Sequence, residues 1–410
     1  MKRLQGTLSL PGSKSESNRA LMIAAYGGFP LEVDGLSDAH DTVLLKNLLS
    51  ATSLRAQRSN PLVVERVDCE DAGTVARFML TYLAGRPGTW TLTGTKRLCE
   101  RPMAPLIDAL RQLGADIKGE SLPLMIKGKP LKGGTVALDA SLSSQFASSL
   151  LMAAPTWENG LELTLTGDPV SMPYLEMTVK MMEYYGVHVA REGTTFLVGH
   201  QTYQPRPFTV SPDWSAASYW YEMLALSEGG TLLLNGLKPD SLQGDAVVAD
   251  FFKPLGVRTE YADEGVSIMS EGVLPPIAKP LEFDVSNTPD VFPSILVSCV
   301  TLHIEAVFYG ISTLFLKESD RVNSLIAELS KYYTFINIIV DNSLIIRKSS
   351  FKGDQVNGTN LFFSTFGDHR LAMALAGLKV RFEKVVLARS DVVNKSYPTF
   401  WDDVGRLVGS

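Results

Sequence analysis

Leu10-Pro11-Gly12-Ser13-Lys14-Ser15-Glu16-Ser17-Asn18-Arg19-Ala20 is the stretch whose reading decides the rest of this chain. A strand-like opening, Leu4, Leu8 and Leu10 around Thr7 and Ser9, meets the turn pair Pro11-Gly12. Ser13, Ser15, Ser17 and Asn18 then offer oxygens for a helix cap and first turn, and the apolar run Ala20–Ala25 follows. Lys14 and Arg19 fall within a turn of the helix start. Free backbone N–H groups, the positive end of the helix dipole and two cations make a place for an anion. The spacing is not that of a P-loop, because no Gly stands four residues before a Gly-Lys-Ser. A capped surface helix with two solvated cations would read the same over this stretch alone.

The same grammar recurs. A polar turn opens an apolar helix at Asp71–Arg77 before Phe78-Met79-Leu80, at Ser141–Gln145 before Phe146–Ala154, and at Ser211–Ser218 before Tyr219–Leu226. It returns at Thr288-Pro289-Asp290 before Val291–Val300 and at Gly367-Asp368-His369-Arg370 before Leu371–Leu378. From Ser15 through Gly73, Ser143, Asp213, Asp290 and Asp368 the steps are 58, 70, 70, 77 and 78 residues. Six such units predict internal duplication. If the six helices run parallel, their N-termini form two clusters of anion-attracting ends.

With 410 residues, two domains are expected; 45% hydrophobic and 20% charged residues describe a globular chain with ample core. A net charge of −6 argues against nucleic acid as a partner, so cations at helix starts are a local feature. Met1-Lys2-Arg3-Leu4-Gln5-Gly6 shows no apolar signal segment and no apolar run reaches membrane-spanning length, so a cytoplasmic enzyme is expected, with no membrane partner. Cys69, Cys99 and Cys299 are odd in number and scattered, which indicates neither a disulfide framework nor a metal site. Pro205-Arg206-Pro207 and Ser211-Pro212 mark one crossing between halves, and Pro11-Gly12 the other. The segment Arg55–Asp68 reads as short strands around Asn60-Pro61, and Tyr332–Lys352 as a hairpin turning at Asp341-Asn342-Ser343.

Eight cations stand at element ends: Lys14, Arg19, Arg77, Arg101, Lys317, Arg321, Arg370 and Lys395. Such a set matches compact phosphates and carboxylates. Asp290 and Glu318 are the carboxylates set among them, suited to general base and general acid if their surroundings separate their pKa values. Thr288-Pro289-Asp290 would also serve as a plain helix cap.

In order, the chain carries Leu10–Ala20, Ala72-Gly73-Thr74-x-x-Arg77, Glu100-Arg101-Pro102-Met103 and Ser143-Ser144-Gln145-Phe146. Asp213-x-Ser215-x-Ala217-Ser218-Tyr219, Leu316-Lys317-Glu318-Ser319-Asp320-Arg321 and Asp368-His369-Arg370-x-Ala372-Met373 complete the set. From Leu10 to Asp402 the chain resembles the 5-enolpyruvylshikimate-3-phosphate synthases, also called 3-phosphoshikimate 1-carboxyvinyltransferases. The resemblance implies a two-domain inside-out α/β barrel of six βαβαββ repeats, three per domain. It implies a discontinuous domain of residues 1–11 and 212–410, a second of 12–211, and an active site in the cleft between them.

It further implies transfer of the enolpyruvyl group of phosphoenolpyruvate to the 5-hydroxyl of shikimate 3-phosphate, with loss of phosphate and no metal or organic cofactor. By resemblance, Lys14, Ser15, Arg19, Ser143, Ser144, Gln145, Ser171, Tyr174, Asp290 and Lys317 contact shikimate 3-phosphate. Lys14, Gly73, Arg77, Arg101, Gln145, Arg321, Arg370 and Lys395 match the phosphoenolpyruvate site. Asp290 would take the hydroxyl proton and Glu318 would serve the enol methylene, with Lys14 near both events and His369 supporting Glu318.

Three residues depart from the family's pattern. Asp71 stands where relatives usually carry Asn, an extra carboxylate expected to weaken phosphoenolpyruvate binding. Thr313 and Phe315 stand where many carry Asn and Arg. Gly73 is retained, which implies inhibition by glyphosate. The nearest rival is the sister enzyme that acts on UDP-N-acetylglucosamine, which uses a Cys in a Gly-Gly-Cys loop. Cys99, two residues before Arg101 and without Gly-Gly, does not fit that pattern. A catalytically silent binder of a phosphorylated metabolite is the other alternative, but Lys14, Asp290, Glu318 and Arg370 are all present. The small, polar motif surfaces point to a monomer.

Overall fold

Behind each polar turn the apolar run is a helix, and most of these helices are buried on every side. The computed structural model describes residues 2–56, 64–353 and 360–409. Its six central helices, numbered in chain order, are α1 (Lys14–Gly27), α2 (Gly73–Ala84), α3 (Ser144–Ala153), α4 (Trp214–Leu226), α5 (Phe292–Thr301) and α6 (His369–Ala376). Every residue of α4, α5 and α6 is buried. In α2 and α3 one residue each escapes burial. A helix apolar all round belongs inside a protein, and α1, α2 and α3 pack on one another, as do α4, α5 and α6.

The sheets take the outside. Strands such as Leu124–Gly128 and Leu161–Thr166 alternate buried and solvated residues, so each sheet turns one face to the helices and one to water. Four sheets share one plan, a parallel pair followed by two antiparallel strands. One runs Val64–Asp68, Gly88–Thr93, Leu124–Gly128, Asp116–Lys118. The parallel pair needs a crossover, and the central helix supplies it. This is the helices-within, sheets-without arrangement the resemblance implied. Among the described residues four repeats carry the full βαβαββ pattern. The other two appear among the described residues as parallel pairs, Val33–Asp34 with Phe208–Thr209 and Asn360–Ser364 with Lys384–Ala388. Among the described residues the sheets stay separate, and each full repeat ends on its own edge strand.

The chain divides into Met1–Ser13 with Ser211–Ser410, and Lys14–Val210. Leu4–Leu8 pairs in parallel with Gly230–Asn235, so the second unit is inserted within a repeat of the first. Where the chain leaves and returns, Ser13 N–H donates to Ser211 C=O at 2.8 Å and Asp213 N–H to Pro11 C=O at 2.9 Å. The hairpin expected over 332–352 is present: Tyr333–Val340 and Ser343–Phe351 flank Asp341 and Asn342, whose φ of 45° and 61° are those of a two-residue hairpin turn. Of the strands expected in 55–68, Val64–Asp68 is observed, while 57–63, with Asn60-Pro61, lie outside the described residues. No helix among the described residues is long and apolar enough to cross a membrane.

Candidate active site

Within Lys14–Val210, the starts of the central helices gather cations whose partners are largely uncharged. Gln145, second residue of α3, donates to Thr74 Oγ1 at 2.9 Å and accepts from Arg77 Nη1 at 2.6 Å. Ser143 caps α3, its Oγ accepting from Gln145 N–H at 3.2 Å; Ser144 is buried behind it. Arg77 reaches Pro102 C=O at 3.3 Å and lies over the Phe146 ring at 5.1 Å. Arg101 packs over Gly73 so closely that a Cβ there would stand 2.4 Å from its Nη1. Gly73 is therefore what lets a guanidinium lie against the first turn of α2.

Arg19 is buried and donates to Thr178 Oγ1 (2.7 Å), Tyr174 C=O (3.0 Å), Ser15 C=O (3.0 Å) and Ser148 Oγ (3.3 Å). Burial pulls its pKa down to about 10, which still leaves it charged at neutral pH. Ser171 opens the neighbouring helix Met172–Tyr184 in a left-handed conformation (φ 55°). Lys14 Nζ stands 3.0 Å from buried Asp41 Oδ2.

In the other unit the groups form one ion network. Arg321, 1% exposed, donates Nη1 to Asp290 (2.8 Å), Nη2 to Glu318 (3.0 Å) and Nε to Asp368 (2.9 Å). Arg370 donates to the second oxygen of Asp290 at 2.8 Å and to Tyr219 OH at 3.4 Å. Asp368 caps α6 through Arg370 N–H at 2.9 Å and accepts from Ser319 Oγ at 3.1 Å. His369 is buried with Nδ1 3.8 Å from Asp368. Lys395 is buried in the same unit, Thr313 is buried, and Phe315 packs on the core, so this departure trades a polar side chain for apolar packing.

Asp290 is no plain cap. Helix α5 opens at Phe292 behind Val291, with no side-chain cap bond. Burial alone would raise the Asp290 pKa; Arg370, Arg321 and Lys317 overturn that and hold it far below the ordinary carboxylate range. Arg321 is likewise disfavoured by burial, yet Asp368, Asp290 and Glu318 push its pKa up.

Several partners escape a reading of spacing: Asp41, Ser148, Thr178, Tyr219 and above all Asp245. Asp245 is buried and accepts from Ser215 Oγ. Burial first, and then the negative Asp290, raise its pKa to about 7, against the opposing pull of Ser215 and Arg370. A sequence signal exists, since Gln243-Gly244-Asp245 is one more polar turn before an apolar helix, but it lies off the six-fold spacing. The sign of its effect follows from linkage. A carboxyl raised in the fold contributes stability in full below its unfolded pKa of about 4 and loses it as pH rises through about 7. Urea unfolding between pH 5 and 7 should therefore show stability falling with pH, and Asp245→Asn should flatten that slope; an unchanged slope refutes the assignment. Buried Glu222, raised well above its ordinary value by burial, adds a trend of the same sign that the substitution leaves in place.

The comparisons with known proteins agree with one another. Residues 1–404 match the family model described as EPSP synthase (3-phosphoshikimate 1-carboxyvinyltransferase). The 3-phosphoshikimate 1-carboxyvinyltransferase of Bacteroides fragilis (strain YCH46) is 37% identical over 409 residues, 98% of this chain and 95% of that one. That of Haemophilus influenzae (strain KW20 / Rd) is 32% identical over 429 residues, covering 98% and 96%. The solved EPSP synthase of Acinetobacter baumannii shares the fold, with a TM-score of 0.72 at 23% identity over 99% of this chain and 96% of that one.

Proposed function

Since this chain belongs to the EPSP synthase (3-phosphoshikimate 1-carboxyvinyltransferase) family, we propose that the two groups of residues just described carry out that family's transfer. The enzyme moves the enolpyruvyl group of phosphoenolpyruvate to the 5-hydroxyl of shikimate 3-phosphate and releases phosphate, a step of the shikimate pathway toward aromatic amino acids. The observation that carries the assignment of roles is the sharing of Asp290 between Arg321 and Arg370.

Both arginines are matched to the carboxylate and phosphate of phosphoenolpyruvate. When that dianion takes them, Asp290 loses the cations that suppress its basicity, and it becomes able to accept the 5-hydroxyl proton. Glu318 gives a proton to the methylene carbon, C2 gains cationic character, and the hydroxyl oxygen bonds to it. The tetrahedral intermediate then collapses: the C2–O bond to phosphate breaks, the methyl carbon returns a proton to Glu318, and the released phosphate takes up the proton held by Asp290. Lys14, Arg77, Arg101, Lys317 and Lys395 hold charge that shifts toward the leaving group, the kind of fixed field that usually dominates catalysis. Arg19, Ser15, Ser143, Ser144, Ser171 and Tyr174 hold shikimate 3-phosphate. Gly73, by admitting Arg101, keeps a guanidinium at the phosphoenolpyruvate end, and glyphosate competes there. The roles draw on one chain, and a biosynthetic role of this kind places the enzyme in the cytoplasm.

Phosphate release with phosphoenolpyruvate and shikimate 3-phosphate, run beside UDP-N-acetylglucosamine as acceptor, tests the reading. Release is expected with shikimate 3-phosphate alone, and glyphosate should raise the apparent KM for phosphoenolpyruvate. Release with the sugar nucleotide alone would assign the sister activity; binding without release would make the protein a silent homologue.

A further inference from the structure

Three helices of the unit Lys14–Val210 repeat one small pattern. Each carries in its first turn a residue assigned above to shikimate 3-phosphate, and a polar residue four positions later. The pairs are Ser15 and Arg19 in α1, Ser144 and Ser148 in α3, and Tyr174 and Thr178 in the helix Met172–Tyr184. Residues four apart lie one above the other on a helix face, so the second member of each pair sits a turn deeper. Arg19, Ser148 and Thr178 are all buried, and they meet. Thr178 Oγ1 accepts from Arg19 Nε at 2.7 Å and donates to Ser148 Oγ at 2.9 Å, with Tyr174 C=O a second acceptor at 2.9 Å. Ser148 Oγ closes the triangle by accepting from Arg19 Nη2 at 3.3 Å. A threonine that bonds back to the carbonyl four residues earlier is ordinary in helices; the guanidinium brought to it by α1 is additional.

A guanidinium offers five N–H donors in one plane. Thr178 holds Nε–H, Ser15 C=O holds one Nη1–H, and Ser148 and Tyr174 C=O hold the two on Nη2. The Phe78 ring of α2 lies against the guanidinium face, 5.8 Å from Cζ. Among the described residues this leaves one N–H, on Nη1, and the other contacts set its direction. Arg19 and Thr178 also share the Tyr174 carbonyl, so the deeper tier ties two substrate-side groups together.

We propose that Thr178, with Ser148 beside it, is a positioning residue for the acceptor substrate: it fixes the plane of Arg19 and, through their shared carbonyl, the place of Tyr174. This rests on the roles proposed above for Arg19 and Tyr174 and extends them to the side chains that orient them. Removing the Thr178 hydroxyl while keeping its shape leaves Arg19 Nε buried without its acceptor, an arrangement that drives the guanidinium to turn. The consequence falls on shikimate 3-phosphate, to which Arg19 and Tyr174 are both assigned.

Steady-state kinetics in each substrate test it. Thr178→Val should raise KM for shikimate 3-phosphate about 10- to 100-fold, the worth of a hydrogen bond to a charged group. KM for phosphoenolpyruvate and kcat should change by less than about three-fold. Thr178→Ser, which keeps the hydroxyl, should restore the wild-type KM, and Ser148→Ala, which loses the longer contact, should raise it about three- to ten-fold. In an Arg19→Lys background, where Nε–H is gone, Thr178→Val should add less than about two-fold, because the two residues act through one contact. Fluorescence titration with shikimate 3-phosphate alone should give the same ratios without turnover. A hydroxyl that only supports the fold would lower the melting temperature and leave both KM values alone. That result, equal rises in both KM values, or additive effects of Arg19→Lys and Thr178→Val would each overturn the proposal while wild-type turnover left the proposed function standing. A wild-type protein that neither binds nor turns over shikimate 3-phosphate would overturn both.

Discussion

Arg321→Met is expected to destabilise the protein by about 3–5 kcal/mol, the loss typical when one partner is removed from a buried ion pair. The methionine fills similar space but leaves Asp290, Glu318 and Asp368 facing one another without their shared guanidinium. For a unit of this size the midpoint of thermal unfolding should fall by roughly 10 °C. The sign of the pH dependence adds a check. Asp290 has a depressed pKa, so its contribution is present above the unfolded value of about 4 and is lost as pH falls further. The gap between wild type and variant should accordingly narrow in acid, where Asp290 begins to protonate. Adding Asp368→Asn should recover part of the loss at neutral pH. A variant within about 1 kcal/mol of wild type at pH 7 would mean that the network is a surface arrangement rather than a buried one.

Asp290→Asn should lower kcat by about 10²–10⁴-fold, the range for losing a general base, while KM for phosphoenolpyruvate stays level or falls. Asn keeps the shape but cannot hold the two arginines as a carboxylate does, at 2.8 Å from each. The arginines are then freer for the substrate, and binding does not suffer. This split separates a base from a mere strut: a residue that only positioned Arg321 and Arg370 would raise KM when removed and leave kcat nearly intact. That second pattern would sink the assignment.

The helix starts were legible because their signal is local. Ser143, Asp213 and Asp368 each cap the helix their polar turn announces. Pairing is where local grammar runs out. Asp290 could be read as a cap or as a base, and only the fold brings Arg321 and Arg370, 31 and 80 residues away, onto its two oxygens. Asp41 lies in the first turn of the helix His40–Ala56, and nothing in its spacing marks it as the partner of Lys14. Asp245 sits outside the repeat spacing, and its raised pKa is a property of burial, which a sequence does not display. The reduction of two repeats to parallel pairs was hidden for a similar reason. Val33–Asp34 and Phe208–Thr209 are two residues each, too short to carry an alternating pattern. The length of Tyr333–Val340 was visible as β-branched runs, but that it forms an edge was not.

The insertion of one unit within a repeat of the other bears on the order in which the protein is made. Leu4–Leu8 emerges from the ribosome ahead of Lys14–Val210, yet its partner Gly230–Asn235 is translated only after the whole of that unit. The contiguous stretch can complete its own contacts during synthesis, as domains generally do. The amino-terminal strand must meanwhile remain unpaired, with Leu4 and Leu8, both fully buried in the finished fold, exposed to water. Deleting residues 1–8 would spare the inserted unit and leave Gly230–Asn235 as an open apolar edge in the other. A strand synthesised ahead of the inserted unit is thus secured only after it, and nascent chains should be most prone to aggregate in the interval before residue 235 clears the exit tunnel.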